Sequence, residues 1–275
     1  MAIESLGILV ATGEGNAYLA EQYGKVIDNV QTGCISTIFK NTDLSGDPSA
    51  GSVIARRLAN TELNDYGTAR AGGGQKVKAD NVTINIDQKK ELIVEVEESD
   101  ARMFGVEGLV ERKMANVQLR LIKNLEKDFW REAVKSGAEF TTTADTTGAQ
   151  IDEAIVALET TKNQYVDGVP RELMGVVVSP SVYTGLQKDI DLIRNHNNDN
   201  TYELYHKVPI HSSTDLPDGV QFIVLVKGAI AQPIHYSPDE AGKFPASNAY
   251  HFGMFAFYGT KAVSPELIKV VKASA

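Results

Sequence analysis

The residues best placed by type to do chemistry are a glycine triplet with a following lysine, one cysteine, five histidines and a serine at a strand-to-helix junction. Gly72-Gly73-Gly74 with Lys76 resembles a phosphate cradle, but such a loop must open directly into a helix, with its Lys followed by Ser or Thr. Here Val77 follows Lys76 and the chain runs on towards a strand, so the triplet reads as a flexible hairpin tip. Cys34 stands alone, which excludes an intrachain disulfide and a multi-cysteine zinc site. A nucleophilic cysteine needs His and Asn or Asp partners that cannot be placed, so Cys34 is expected to be a small buried hydrophobe. His196, His206, His211, His235 and His251 show no helical pairing at three or four residues and no metal motif, and they read as partly exposed polar positions. Ser179, in Val-Val-Ser-Pro-Ser, lacks the flanking glycines of a nucleophile elbow. It reads as the cap of a helix that Pro180 begins. Carboxylates abound, yet sequence alone brings no two together. No catalytic constellation, cofactor site or metal site is expected, and the chain does not read as an enzyme.

The elements that would position these residues are clearer. Leu19, Tyr23, Val26, Ile27 and Val30 recur at helical spacing within Ala17 to Val30, a helix suited to an arm that packs on something else. Asp43 to Gly51 is a loop by composition. Val82, Ile84 and Ile86 alternate with polar residues, and Leu92, Val94 and Val96 resume the alternation, with Ser52 to Thr68 a weaker strand signal upstream. Residues 52 to 97 thus predict a projecting two-stranded ribbon with one modest apolar face. Such a ribbon is marginal alone and is expected to find contacts on another subunit. The strongest helix follows. Val106, Val110, Met114, Val117, Leu121, Leu125, Phe129 and Ala133 form one apolar stripe between charged and amide positions, with Gly137 as a left-handed cap. Val106 to Ser136 would span roughly 46 Å at about 1.5 Å per residue, more than twice an ordinary globular helix.

Beyond a Thr-rich break at Thr141 to Gly148, Ile151, Ile155 and Leu158 mark another helix and Gly175 to Ser179 a buried strand. Short strands then run over Val208 to His211, Val220 to Val226, Ile230 to Tyr236, Tyr250 to Tyr258 and Ala262 to Val271, with a turn at Leu216-Pro-Asp-Gly219.

Composition sets the outer limits. The chain has 275 residues, 43% of them hydrophobic, with a formal net charge of -9. It is long enough for one large or two moderate domains, ordinary enough to fold, and too acidic to rely on a broad basic face for DNA. No apolar run approaches a membrane span, and Met1 to Val10 does not read as a signal peptide, so a cytosolic, globular protein without membrane contact is expected.

The order of elements resembles the major capsid protein of tailed bacteriophages, the α+β Hong Kong 97 fold. Three stretches carry the resemblance. Thr83-Ile-Asn-Ile-Asp-Gln-Lys-Lys-Glu-Leu-Ile-Val-Glu-Val96 with Ser99-Asp100 looks like the return strand of the extended loop leading into the spine helix. Gly175-Val-Val-Val-Ser-Pro-Ser-Val-Tyr-Thr-Gly-Leu186 resembles the strand–helix unit of the axial domain. Leu216-Pro-Asp-Gly219 with Phe222-Ile-Val-Leu-Val-Lys-Gly-Ala-Ile-Ala231 looks like that domain's later strands.

The resemblance implies an N-terminal arm over 1–48, an extended loop over 49–98, and a peripheral domain over 99–146 and 248–275 with its spine helix at 103–136. The axial domain would cover 147–247. It further implies a building block of pentamers and hexamers, in an icosahedral shell enclosing double-stranded DNA without sequence-specific binding. Such a shell is assembled in the bacterial cytoplasm with a portal. Because Met1 lies only some fifty residues before the loop, the scaffold is expected to be a separate protein or unnecessary.

Arg70, Gly72, Gly73, Gly74, Lys76 and Lys78, at the loop tip, are the expected intersubunit contacts. Some relatives join subunits by Lys–Asn isopeptide bonds, but no motif selects among Lys76, Lys78, Lys89 and Lys90, and crosslinking is not expected here. The rival readings are an encapsulin-type nanocompartment shell, a cytosolic α+β enzyme with an unrecognised carboxylate pair, and another virion structural protein such as a tail component.

Overall fold

The computed structural model describes residues 5–61, 65–66, 79–186, 204–245 and 247–273. Two helices come first, α1 (Leu6–Ala11) and α2 (Gly13–Gly33). Ser5 and Thr12 cap them, each hydroxyl accepting a first-turn N–H. β1 (Leu44–Ser45), β2 (Ser52–Leu58) and β3 (Ala79–Asn85) follow, then β4 (Gln88–Glu97), α3 (Glu98–Phe104) and α4 (Val106–Ser136). After β5 (Ala138–Glu139), α5 (Thr147–Glu159) and β6 (Met174–Val178), residues 180–186 are helical. The rest is strand: β7 (Leu204–Tyr205), β8 (Val208–Ser212), β9 (Val220–Val226), β10 (Ile230–Ala231), β11 (Ile234–Pro238), β12 (Gly242–Lys243), β13 (Ala249–Tyr258), β14 (Lys261–Ala262) and β15 (Ile268–Lys272).

Among the described residues two large hydrophobic cores and one small one result. One large core lies on a six-stranded sheet ordered β5-β15-β9-β6-β8-β7, covered by the apolar face of α5 at Ile151, Ala154, Ile155 and Leu158. Its central strand β6 is buried at every position, as a short continuous apolar run requires. The other core lies under α1 and α2, against a sheet in which β13 has β4 on one edge and β11 and β12 in succession on the other. The long helix belongs to both. Val106 to Leu125 supply the second core; Phe129, Trp130 and Ala133 enter the first. The whole expected stripe is buried, and its steps of mostly four residues rotate it gradually around the helix, letting one element face two bodies.

Polar contacts lock these pieces. Glu126, 4% exposed, accepts from the Ser36 N–H at 2.8 Å and from Trp130 Nε1 at 2.6 Å. Gln232 Nε2 donates to the Leu125 carbonyl at 3.1 Å and to Thr260 Oγ1 at 2.9 Å. The Tyr258 hydroxyl donates to Asp128 at 2.5 Å.

Several boundaries differ from the sequence reading. The long helix starts at Val106, not 103. Met103 and Phe104 end α3, and Gly105, at φ 74° and ψ 144°, breaks the path in a region only glycine enters readily. Gly137 is not a left-handed cap, since its φ is -68°. Its glycine is required by crowding, because a Cβ there would lie 2.6 Å from the Ala133 carbonyl oxygen and 2.7 Å from Ile268 Cγ2. The expected extended loop over 49–98 is too long at its C-terminal end: β3 pairs with β2, but β4 leaves the ribbon and lies along the full length of β13. Lys89 and Lys90 therefore sit in that sheet, opposite Phe257 and Ala256.

The expected strands Ile230 to Tyr236 and Ala262 to Val271 are each interrupted. Pro233 separates β10 from β11, and Pro265 opens a 3₁₀ turn before β15. This also changes the expected grouping of 147–247 against 248–275. β11 already joins β13, while β15 returns to β9 in the six-stranded sheet.

Candidate functional site

The residues singled out as contacts, Arg70, Gly72, Gly73, Gly74, Lys76 and Lys78, lie outside the described residues. What the structure does describe is the base of the ribbon that carries them. Val53 stands opposite Ile84 and Ala55 opposite Val82, and this face is covered by Ala231, Val263 and Leu44. Alternation puts Ile54 and Leu58 on the other face, exposed at 37% and 61%. The ribbon base therefore has a small core within its own chain, more than the sequence suggested, while its outer apolar face is uncovered.

The take-off direction is pinned at both edges. The Arg57 guanidinium lies 4.0 Å over the Tyr165 ring and pairs with Glu266. The Tyr165 hydroxyl donates to Asp80 at 3.3 Å, and the Asn60 N–H donates to the Gln164 carbonyl at 2.9 Å. Asn163 shapes that loop, its side-chain oxygen accepting from the N–H groups of Tyr165 and Val166 at 2.8 Å each, and its amide reaches Glu266 at 3.3 Å. On the other strand Lys261 Nζ donates to the Thr83 carbonyl at 2.8 Å. A cation held between a ring and a carboxylate is a positioning device. It fixes the ribbon base against the loop at Asn163 to Val166.

The remaining candidates are dispersed. Cys34 is buried; burial pushes its thiol up to about 11, against the pull of nearby Lys40. Ser179 sits at the start of the helical stretch, its carbonyl accepting the Tyr183 N–H at 2.9 Å and its hydroxyl 3.2 Å from that of Ser181. His206 Nδ1 lies 2.9 Å from Asp152 and His251 Nδ1 3.1 Å from Asp239. His211 packs edge-on against Phe39, His235 stacks on Phe257, and His196 lies outside the described residues. Among the described residues no three His, Cys, Asp or Glu side chains gather as a metal would need, and no helix is long and apolar enough to cross a membrane.

A cavity of about 200 Å³ is lined by Val30, Gln31, Thr37, Lys40, Gln232 and Tyr236. Burial there pulls the Lys40 ammonium below the ordinary lysine value. An open trough of about 590 Å³ runs past Phe140, Thr143 and α5, where Glu153 accepts from both the N–H and hydroxyl of Thr143.

Sequence reasoning missed Arg57, Tyr165 and Glu266. They stand about a hundred residues apart in the chain, and no local pattern links them.

No protein-family model matches the chain, and no curated protein matches it. Solved structures do. A structure from Mycobacterium phage Che8 is 19% identical over 80% of this chain and 84% of its own, with a TM-score of 0.59. The virus-like particle from Pyrococcus furiosus matches at 14% identity over 93% and 99%, with a TM-score of 0.58. The capsid of Ralstonia phage GP4 matches at 14% identity over 86% and 87%, also at 0.58. At such identities the likeness is one of fold, and the fold is that of Hong Kong 97.

Proposed function

We propose that this chain, which has the Hong Kong 97 fold, is the subunit of an icosahedral bacteriophage shell that encloses double-stranded DNA. The observation that carries the proposal is the ribbon β2–β3. It is aimed by its own subunit at Arg57, Tyr165 and Lys261 yet leaves Ile54 and Leu58 uncovered at its outer face. β1 pairs only with Ile54 and Ala55 of β2, so from Arg56 to Leu58 the ribbon is two-stranded and gains stability chiefly from what packs on it. A second copy of the chain supplies that surface in a closed ring, where every copy both gives and receives the ribbon.

In this reading the chain is a building block and catalyses no reaction. The helices within 1–48 form an arm, here packed on α4. The ribbon from Ser52 to Asn85, including Arg70, Gly72, Gly73, Gly74, Lys76 and Lys78 at its tip, lies over a neighbour. The six-stranded sheet forms the axial body at the capsomer centre, and the sheet around β13 forms the peripheral body, both braced by α4. Pentamers and hexamers of this unit close into the shell in the bacterial cytoplasm, with a separate scaffold and a portal as partners, and the product is the virion capsid.

Negative-stain electron microscopy with sedimentation of the chain expressed alone, then with its scaffold, tests the proposal. Closed particles or five- and six-membered rings are the expected outcome; a chain that stays monomeric with scaffold present would refute it. A second reading, a shell of the same fold that encloses no phage genome, draws on the nearly complete mutual coverage with the virus-like particle from Pyrococcus furiosus. Nuclease-protected DNA in native particles separates the two.

A further inference from the structure

The charges of α4 are sorted by sign around the helix. Arg112, Lys113, Arg120, Lys123, Lys127, Arg131 and Lys135 are all exposed. With 3.6 residues per turn they fall within an arc of roughly 140°. The acids of the same helix all fall outside that arc. Glu126 is buried in its contacts with Ser36 and Trp130. Asp128 and Glu132 are half-buried and hold Tyr258 and the Ala262 N–H. Glu107 and Glu111 face α2, where burial first, and then these two acids with Glu21, raise the Tyr18 phenol to about 12. Arg131 and Lys135 have partners on the helix itself, Asp128 at 2.9 Å and Glu132 at 3.9 Å. Arg112, Lys113, Arg120, Lys123 and Lys127 make no ion pair among the described residues.

We propose that this stripe is the surface on which the enclosed nucleic acid lies, held by its phosphates without regard to sequence; the proposal rests on the shell reading above. A net charge of -9 does not oppose it. Charges beyond about 10 Å are largely screened at moderate salt, so a phosphate on the stripe feels the local cations and little of the distant acids. From Arg112 to Lys135 the stripe runs roughly 35 Å along the helix, about one turn of duplex DNA. Exposed Asn116 and Asn124 lie within the arc and add amide donors of the kind that bind phosphate oxygens. An acidic protein segment is the rival occupant, but a stable protein interface needs an apolar centre. The stripe offers only Leu119, at its edge.

Fluorescence anisotropy of a random-sequence 30-base-pair duplex with the full chain, from about 50 to 200 mM salt, tests this. Five cations without an ion pair among the described residues predict a log–log salt slope of about -4 to -5. The combined variant Arg120→Gln, Lys123→Gln, Lys127→Gln should reduce that slope by about 2.7, with the melting temperature unchanged. Absence of duplex binding at the lowest salt, or an unaltered slope in the variant, overturns the proposal. So does equal capture of poly-glutamate that the variant loses, which would assign the stripe to an acidic protein. Shell closure is scored separately by electron microscopy on the same preparations. Closed shells with a stripe indifferent to DNA sink this proposal alone, whereas stripe-dependent binding by a chain that never closes sinks the shell reading.

Discussion

Glu126 and Cys34 show how much a single position depends on where the chain places it. The Glu126 carboxylate is the acceptor for two buried donors, the Ser36 N–H and the Trp130 indole, and so fastens the segment after α2 to the middle of α4. Replacing Glu126 with Leu keeps the bulk but strands both donors, each at a cost of about 1–3 kcal/mol. Urea denaturation should therefore show a loss of about 2–6 kcal/mol; a change near zero would mean that the donors find other partners. In the sequence Glu126 stood among charged helix positions presumed solvated, and nothing local distinguished it. Its burial follows from Ser36, ninety residues away. Cys34, by contrast, was legible as a buried small residue. Burial raises its thiol from an ordinary value near 9.0 to about 11. The folded state thus keeps a proton that the unfolded chain surrenders. The Cys34 contribution to stability is constant below the unfolded value and declines as pH rises from there towards about 11. Native protein at pH 8 should react with a thiol reagent at least tenfold more slowly than urea-unfolded protein, because both thiolate and access are scarce. Equal rates would contradict the burial.

At the scale of elements, α4 is where periodicity spoke most clearly. Its stripe predicted the buried residues from Val106 to Ala133, because a helix of this length can meet the packing of a core only through a repeated face. What periodicity did not show is that the stripe serves two cores, with the hand-over between Leu125 and Phe129. Lys127 sits at that hand-over with an exposed side chain, so Lys127→Pro disturbs the backbone and little packing. It should cost about 3 kcal/mol or more. It should also uncouple the bodies, so that near- and far-ultraviolet circular dichroism no longer melt together; coincident transitions would show that the cores do not communicate through the helix. The strands were less legible. Pro233 and Pro265 were visible in the sequence as breakers, yet the apolar runs around them read as continuous strands, since apolar content alone does not report where a ladder changes partner. The same held for β4, whose alternation matches that of β3 although the two lie in different sheets.

For the whole molecule the expected outcome concerns assembly. Deleting Arg70 to Lys78 removes the segment proposed as the ribbon tip and leaves every described member of the three buried clusters in place. The variant should melt within about 1 kcal/mol of the parent, in the range of surface changes, yet form few or no closed shells by electron microscopy. Normal shells from it would refute the intersubunit role of the tip.

Taken alone, the sequence determined the long helix, the buried strand β6 and the ribbon's alternating face. Each of these is written in spacing along a few neighbouring residues, where side-chain periodicity and steric limits act directly. The tertiary structure decided which strands share a sheet, that β15 returns to β9, that Glu126 is buried, and that Arg57, Tyr165 and Glu266 meet. It also decided that the cations of α4 stand in solvent while its acids turn inward or towards α2. Those outcomes depend on contacts between residues far apart in the chain, whose closure entropy only the assembled cores offset, and no local pattern records them.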